Sequence, residues 1–214
     1  EEMRSSGLNG GQIREEMKIA QFYEEGHVLL GVVRAEGIIP IDFDGDMIEF
    51  IKGDRVVKFQ DRKAVDSRQV TLAPPLTRPS KIIGTGLNYK DHAEEQKARI
   101  PDLPMIFAKL PNTLIGPNAE ITWDMKVTSK VDFEGELAVV IGRRTYNCDQ
   151  GQALKAVFGY TCANDVSARD LQFSDTQVLR GKSLDTFCPL GPWIVTSDEI
   201  PNPNSLGIRC WLNG

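Results

Sequence analysis

The chain has 214 residues, 41% hydrophobic and 26% charged, an ordinary globular composition with enough apolar material for a sizeable core. Its formal net charge of −5 offers no bulk attraction to nucleic acid or to an anionic membrane, and the longest basic run is Arg143-Arg144. No stretch reaches the roughly 18 uninterrupted apolar residues of a membrane span, and the first residues lack the apolar core of a secretory signal.

Residues 1–16 are polar, and Met17 opens the first strand-like run. The expectation is that Met17 is the native start and that 1–16 is an upstream or added stretch. Residues 17–22 read as a strand, Glu24-Glu25-Gly26 as a turn and 27–34 as a second strand, with a third from Ile38 to Ile41. A weak helical pattern follows over 45–52, with Met47, Ile48, Phe50 and Ile51 as its apolar positions. Together these predict a small N-terminal α+β domain over 17–73. Pro74, Pro75 and Pro79 then fall within ten residues and mark a connector, because proline fixes φ and removes a backbone donor.

Beyond it, 80–214 is expected to form a second domain. Lys81 to Gly84 reads as a strand, Asn88 to Ala98 as a helix and Leu137 to Ile141 as a strand. Ala153 to Phe158 reads as a short helix, and 159–163, 192–196 and 207–212 as strands. Asn213-Gly214 is a hairpin signal with no second strand after it, so the expectation is a chain that stops inside a β-hairpin. The pattern predicts an α+β fold rich in strands.

Val131-Asp-Phe-Glu-Gly-Glu-Leu137 carries the clearest chemistry. On an extended chain Glu134 and Glu136 point to one face. Two adjacent carboxylates repel, and a hard divalent cation with oxygen ligands relieves that repulsion. An exposed charged strand edge is the competing reading. Asp165 ends an apolar strand in Asn164-Asp165, where it fits either a third ligand or a turn cap. His92 and Glu95 lie at i, i+3 in a helical segment, where a carboxylate can orient an imidazole as a general base. A solvated helix face competes there. Lys182 follows Gly181 and could hold a substrate carboxylate or enolate, although a lone lysine is ordinarily a surface charge. Cys148, Cys162, Cys188 and Cys210 form no CxxC pair and match no zinc or disulfide spacing. Free thiols fit a reducing compartment, and the expected location is the cytoplasm. No GxSxG elbow, P-loop or GxGxxG is present.

Five segments in order resemble the fumarylacetoacetate hydrolase family: Gly86-Leu-Asn-Tyr-Lys-Asp-His-Ala-Glu-Glu95, Pro104-Met-Ile-Phe-Ala-Lys109, Val131 to Leu137, Asn164-Asp-Val-Ser-Ala-Arg-Asp170 and Gly181 to Pro192. The resemblance implies a mixed β-roll with its C-terminal part missing from this chain. It implies Mg²⁺ (or Ca²⁺ or Mn²⁺) on Glu134, Glu136 and Asp165, with His92 and Glu95 as a catalytic dyad. Lys182 would steady the developing enolate, Gln172 would position substrate or water, and Lys109 would be a weaker substrate-side candidate. The implied substrate is a 2-oxo acid handled as a metal-bound enolate, with hydrolysis, decarboxylation and isomerisation all open. The implied assembly is a homodimer. A binding protein that keeps the metal site without turnover is the alternative, and the intact His92–Glu95 pair argues against it.

Overall fold

The computed structural model describes residues 17–95 and 97–214, so the leading segment 1–16 lies outside the described residues. Strands β1 (Lys18–Glu24) and β2 (His27–Arg34) form an antiparallel hairpin in the register Glu24↔His27. Its two loop residues, Glu25 and Gly26, have φ of 49° and 82°. Left-handed φ at both positions is what a two-residue type I′ loop requires. Strand β3 (Gly37–Pro40) adds to β2.

Helix α1 (Met47–Lys52) starts where Asp46 caps it. The Asp46 carboxylate accepts from the amides of Ile48 (2.8 Å) and Glu49 (3.0 Å), and Glu49 accepts from the Asp46 amide (2.9 Å). This reciprocal capping box satisfies orphan donors of the first turn. Met47, Phe50 and Ile51 are buried at helical spacing. Gln21, fully buried on β1, accepts from the Met47 amide (2.7 Å) and donates to the Pro74 carbonyl (2.6 Å). One side chain thus ties strand, helix and connector together.

The remaining elements are β4 (Thr71–Ala73), β5 (Ile82–Gly86), α2 (Lys90–Glu95), β6 (Met105–Lys109), β7 (Leu114–Ile115), β8 (Val131–Asp132) and β9 (Gly135–Ile141). They continue with α3 (Gln150–Lys155), β10 (Val157–Asn164), β11 (Ser167–Ala168), α4 (Arg169–Ser174), α5 (Leu179–Lys182) and β12 (Cys188–Thr196). Among the described residues an eight-stranded sheet runs β3-β2-β1-β12-β10-β9, with β4 beside β1 and β7 beside β12. β5 pairs β6, and β8 pairs β11, in two small sheets. The fold is α+β. The main sheet crosses the proline-rich connector, because β1 hydrogen-bonds directly to β12 through Lys18↔Val195 and Ile19↔Ile194.

The main core gathers Met17, Ile19, Leu30, Val32, Met47, Phe50, Ile51, Phe158 and Ile194 from strands and helix on both sides of that connector. Burying each large apolar side chain of this kind contributes about 1.5–3 kcal/mol. Arg55 adds a polar staple: its guanidinium donates to the carbonyls of Ile51 and Gly142 and lies 5.1 Å over the Phe158 ring.

Three elements differ from the sequence reading. The helix expected over 153–158 is displaced to Gln150–Lys155, because Asp149 and Gln152 form a capping box there and Val157-Phe158 join β10. The helix expected over 88–98 contracts to Lys90–Glu95. The strand expected over 207–212 is irregular, since no ladder partner pairs with it among the described residues.

Candidate metal and catalytic site

Strands β9 and β10 bring the acidic residues together. Their register pairs Gly135 with Asn164 and Glu136 with Ala163. Just outside the ladder, the Asp165 amide donates to the Glu134 carbonyl (2.9 Å), and the Glu134 amide donates to the Asn164 side chain (3.0 Å). The Asn164-Asp165 dipeptide therefore fixes the backbone of Glu134 from both sides. This is the physical use of a polar pair at the end of an apolar strand.

Three cations close on these carboxylates. Lys182, the last residue of α5, is 3% exposed, and its ammonium lies 2.9 Å from Glu134 Oε2 and 2.8 Å from Asp165 Oδ2. Lys109, the last residue of β6, is 4% exposed and reaches Asp165 Oδ1 at 2.6 Å and the Val166 carbonyl at 3.2 Å. Arg169 Nη1 is 2.6 Å from Glu134 Oε1, and its Nε and Nη2 hold Asp132 Oδ2 at 2.9 and 2.8 Å. Lys182 owes its reach to Gly181: a Cβ there would stand 2.7 Å from the Gln172 amide and 2.9 Å from the Ala168 carbonyl. Only glycine lets α5 approach the start of α4 that closely.

Among the described residues Glu136 forms no close ion pair, and the Lys182 ammonium acts on it only at longer range. The Tyr89 phenol hydrogen-bonds to Glu136, and burial pushes its carboxyl pKa up, with the charges of Glu134 and Asp165 adding to the rise. Burial likewise lowers the Lys109 ammonium, opposed by Asp165. These groups share one cleft of about 1070 Å³ with His92, Phe107, Gln172 and Cys188. The Phe107 ring lies 5.1 Å beneath the Lys182 ammonium.

The residues singled out from sequence therefore separate into groups. Glu134, Glu136, Asp165, Lys182, Lys109, Gln172 and His92 all line this cleft. Gln172 accepts from Arg169 Nη1 at 2.9 Å, and Lys109 spends its charge on Asp165. Glu95 shares α2 with His92 but is solvent-exposed there. Arg169, Asp132 and Tyr89 belong to the site as well, although sequence reasoning gave them no role. The β8–β11 register sets Asp132 opposite Ser167, two residues before Arg169, so the arginine reaches the aspartate diagonally; no local sequence pattern announces this.

Among the described residues, no group of three or more His, Cys, Asp and Glu side chains is arranged to hold a metal ion as placed. The donor chemistry nevertheless fits a hard divalent cation. All candidate ligands are carboxylate oxygens, and burial together with the neighbouring Glu134 and Asp165 disfavours the ionised form of Glu136, a cost that such a cation would relieve.

The fumarylacetoacetate (FAA) hydrolase C-terminal family model matches residues 81–214. A rat protein named oxaloacetate tautomerase Fahd2a, mitochondrial (Rattus norvegicus), is 39% identical over 215 residues, which cover 92% of this chain and 68% of that protein. The oxaloacetate tautomerase fahd2 of Xenopus laevis is 43% identical over 177 residues, 78% of this chain and 55% of that protein. The chain thus spans between about half and two thirds of these relatives. A crystal structure of 2-hydroxyhepta-2,4-diene-1,7-dioate isomerase from Mycobacterium marinum superposes with a TM-score of 0.69 at 34% identity, covering 84% of this chain and 66% of that one. With the family model matching well over half of its length, this chain belongs to the fumarylacetoacetate hydrolase family.

Proposed function

We propose that this chain carries the site of a divalent-metal-dependent enzyme that acts on 2-oxo acids by moving a proton next to the keto group. The observation that carries the reading is the meeting of Glu134, Glu136 and Asp165 with Lys182, Arg169 and His92 in one cleft. Glu134, Glu136 and Asp165 would hold Mg²⁺, with Ca²⁺ or Mn²⁺ as substitutes, and the bound cation would supply Lewis acidity toward the 2-oxo acid.

The chain's own residues do the rest. Lys182 and Arg169 are donors for a substrate carboxylate or a developing enolate oxygen, and in this arrangement they rest on the carboxylates that a cation would claim. His92 lines the same cleft and would take a proton from the carbon beside the keto group and return it to oxygen. Glu95 would orient His92 on closure of α2, because catalytic hydrogen bonds commonly tighten only with substrate bound. Gln172 would set the substrate's distal end. The names of the relatives favour tautomerisation or a double-bond shift, while hydrolysis and decarboxylation share the same first step.

In this reading residues 17–73 are an accessory unit and 80–214 carry the site. The assembly is a homodimer, supported by the exposed apolar side chains Ile83, Leu103, Met105 and Ile106 on and beside the paired strands β5 and β6. The free cysteines support a reducing compartment such as the cytoplasm. No helix of the described residues is long and apolar enough to cross a membrane.

The test is a screen of oxaloacetate, acylpyruvates and unsaturated 2-oxo dioates, followed by absorbance and product analysis, in Mg²⁺ and in EDTA. Turnover in Mg²⁺ that EDTA abolishes and that Glu136→Gln removes is the expected result. Activity indifferent to EDTA would overturn the metal assignment. Tight 2-oxo-acid binding without turnover would favour the binding-protein alternative.

A further inference from the structure

Thr186 has φ of 69°. It is the third residue of the Leu184–Phe187 turn, closed by the Phe187 amide on the Leu184 carbonyl at 3.2 Å. Left-handed backbone at that place favours Gly or Asn, and a β-branched residue there is a genuine outlier. Such outliers persist only where the surroundings over-determine them.

The surroundings here are specific. The Thr122 amide donates to Thr186 Oγ1 at 2.9 Å, and the Thr186 hydroxyl donates back to the Thr122 carbonyl at 3.2 Å. The hydroxyl thus makes the paired contact that a strand backbone would make. On the other flank, Asn112 Nδ2 donates to the Ser183 carbonyl (3.3 Å) and to Asp185 Oδ1 (2.6 Å), and the Leu110 amide donates to Ser183 Oγ (3.2 Å). The turn is clamped between two separate segments.

What the clamp fixes is the C-terminal end of α5. Lys182 stands two residues before the turn, joined to it by the clamped Ser183, and Lys109 immediately precedes Leu110; both ammoniums grip Asp165. We propose that Thr186 is a positioning residue: its hydroxyl, paired with the Thr122 backbone, holds the left-handed turn that seats Lys182 between Glu134 and Asp165. Its catalytic significance rests on the function proposed above, whereas the seating of Lys182 does not.

The test is therefore read first without activity. An amine-acylating reagent is applied to the folded protein and to Thr186→Val, Thr186→Ser and Thr186→Gly, and labelling rates are followed by peptide mass spectrometry. Exposed Lys63 serves as the reference. In wild type Lys182 is protected. Thr186→Val keeps the shape and loses both hydrogen bonds, and Lys182 labelling rises roughly tenfold as local opening becomes easier. Thr186→Ser keeps the hydroxyl and restores protection. If the valine variant does not fold, Thr186→Gly does, because its φ is unstrained, and it exposes Lys182 to the same degree.

Protection of Lys182 unchanged in both the valine and glycine variants would overturn the proposal. In a 2-oxo-acid assay, kcat falls in Thr186→Val and recovers in Thr186→Ser, with KM less affected. A wild-type protein inactive on every 2-oxo acid would sink the function and leave the labelling result standing. Normal wild-type turnover with flat labelling would sink the positioning role alone.

Discussion

Replacing Lys182 by methionine removes the ammonium that bridges Glu134 and Asp165 and keeps an unbranched stem. The side chain is 3% exposed, and its ammonium stands 2.9 Å from Glu134 Oε2 and 2.8 Å from Asp165 Oδ2. The Glu134 side chain is 20% exposed and that of Asp165 12%, so neither carboxylate regains full hydration in exchange. Breaking a buried pair by removing one partner costs about 3–5 kcal/mol. Glu134 keeps Arg169 and Asp165 keeps Lys109, so the loss falls at the low end, about 3 kcal/mol. In a domain of this size that lowers Tm by roughly 6–12 °C. The assay is thermal and urea unfolding in EDTA for both proteins, repeated with Mg²⁺. A divalent cation can replace the lost positive charge, so Mg²⁺ stabilises the variant more than wild type. At a hundredfold excess over Kd that stabilisation is about 2.7 kcal/mol. A methionine variant as stable as wild type in EDTA, with no larger response to Mg²⁺, would refute the claim that Lys182 neutralises this cluster.

Three further outcomes are expected. His92→Ala lowers turnover of the responsive 2-oxo acid by about 10²–10⁴-fold and leaves the Mg²⁺-induced thermal shift intact; steady-state kinetics beside thermal unfolding separates the two effects. Gly181→Ala drives a Cβ to 2.7 Å from the Gln172 amide, a backbone contact that cannot swing aside, and destabilises by about 1–3 kcal/mol in urea unfolding. Burial pushes the Cys188 thiol up, against the pull of the Lys109 ammonium. Folding then favours the protonated thiol, so its contribution to stability is complete at neutral pH and is lost as pH rises past roughly 8.5. With iodoacetamide at about pH 8, exposed Cys148, Cys162 and Cys210 are modified while Cys188 stays untouched until the protein unfolds, as read by peptide mass spectrometry. Early labelling of Cys188 would contradict its burial.

Local signals made much of the fold legible. The Glu24-Glu25-Gly26 turn and the apolar runs around it announce the first hairpin, because φ preference and two-residue alternation act over a few positions. The failures have the same origin. Residues 207–212 alternate like a strand, yet a strand is an agreement between two segments, and pattern in one cannot reveal the partner. Val157-Phe158 look equally apolar in helix or strand, and the Asp149–Gln152 box decided the matter by starting the helix earlier.

At the site, spacing alone put Glu134 and Glu136 on one face, and strand-end polarity pointed to Asp165. That Lys182 is buried could not be read from Gly-Lys-Ser, since it depends on α5 meeting α4 at Gly181. Arg169 was missed for a similar reason. Its partners Asp132 and Glu134 lie more than thirty residues away, and only the β8–β11 register brings them within reach.

The pairing of β1 with β12 also dictates an order of events. The Met17 amide donates to Thr196 Oγ1 at 3.0 Å, across 179 residues of sequence. The β1–β2 hairpin is synthesised long before β12, and although α1 can cover Ile19 and Leu30 sooner, the edge of β1 that pairs with β12 stays open until β12 arrives. Closing so long a loop adds little to the final stability, since each doubling of length costs only about 0.6 kcal/mol, yet it slows the search. Strand β1 is thus completed long after it is made, and during that interval its open edge is exposed to wrong pairing.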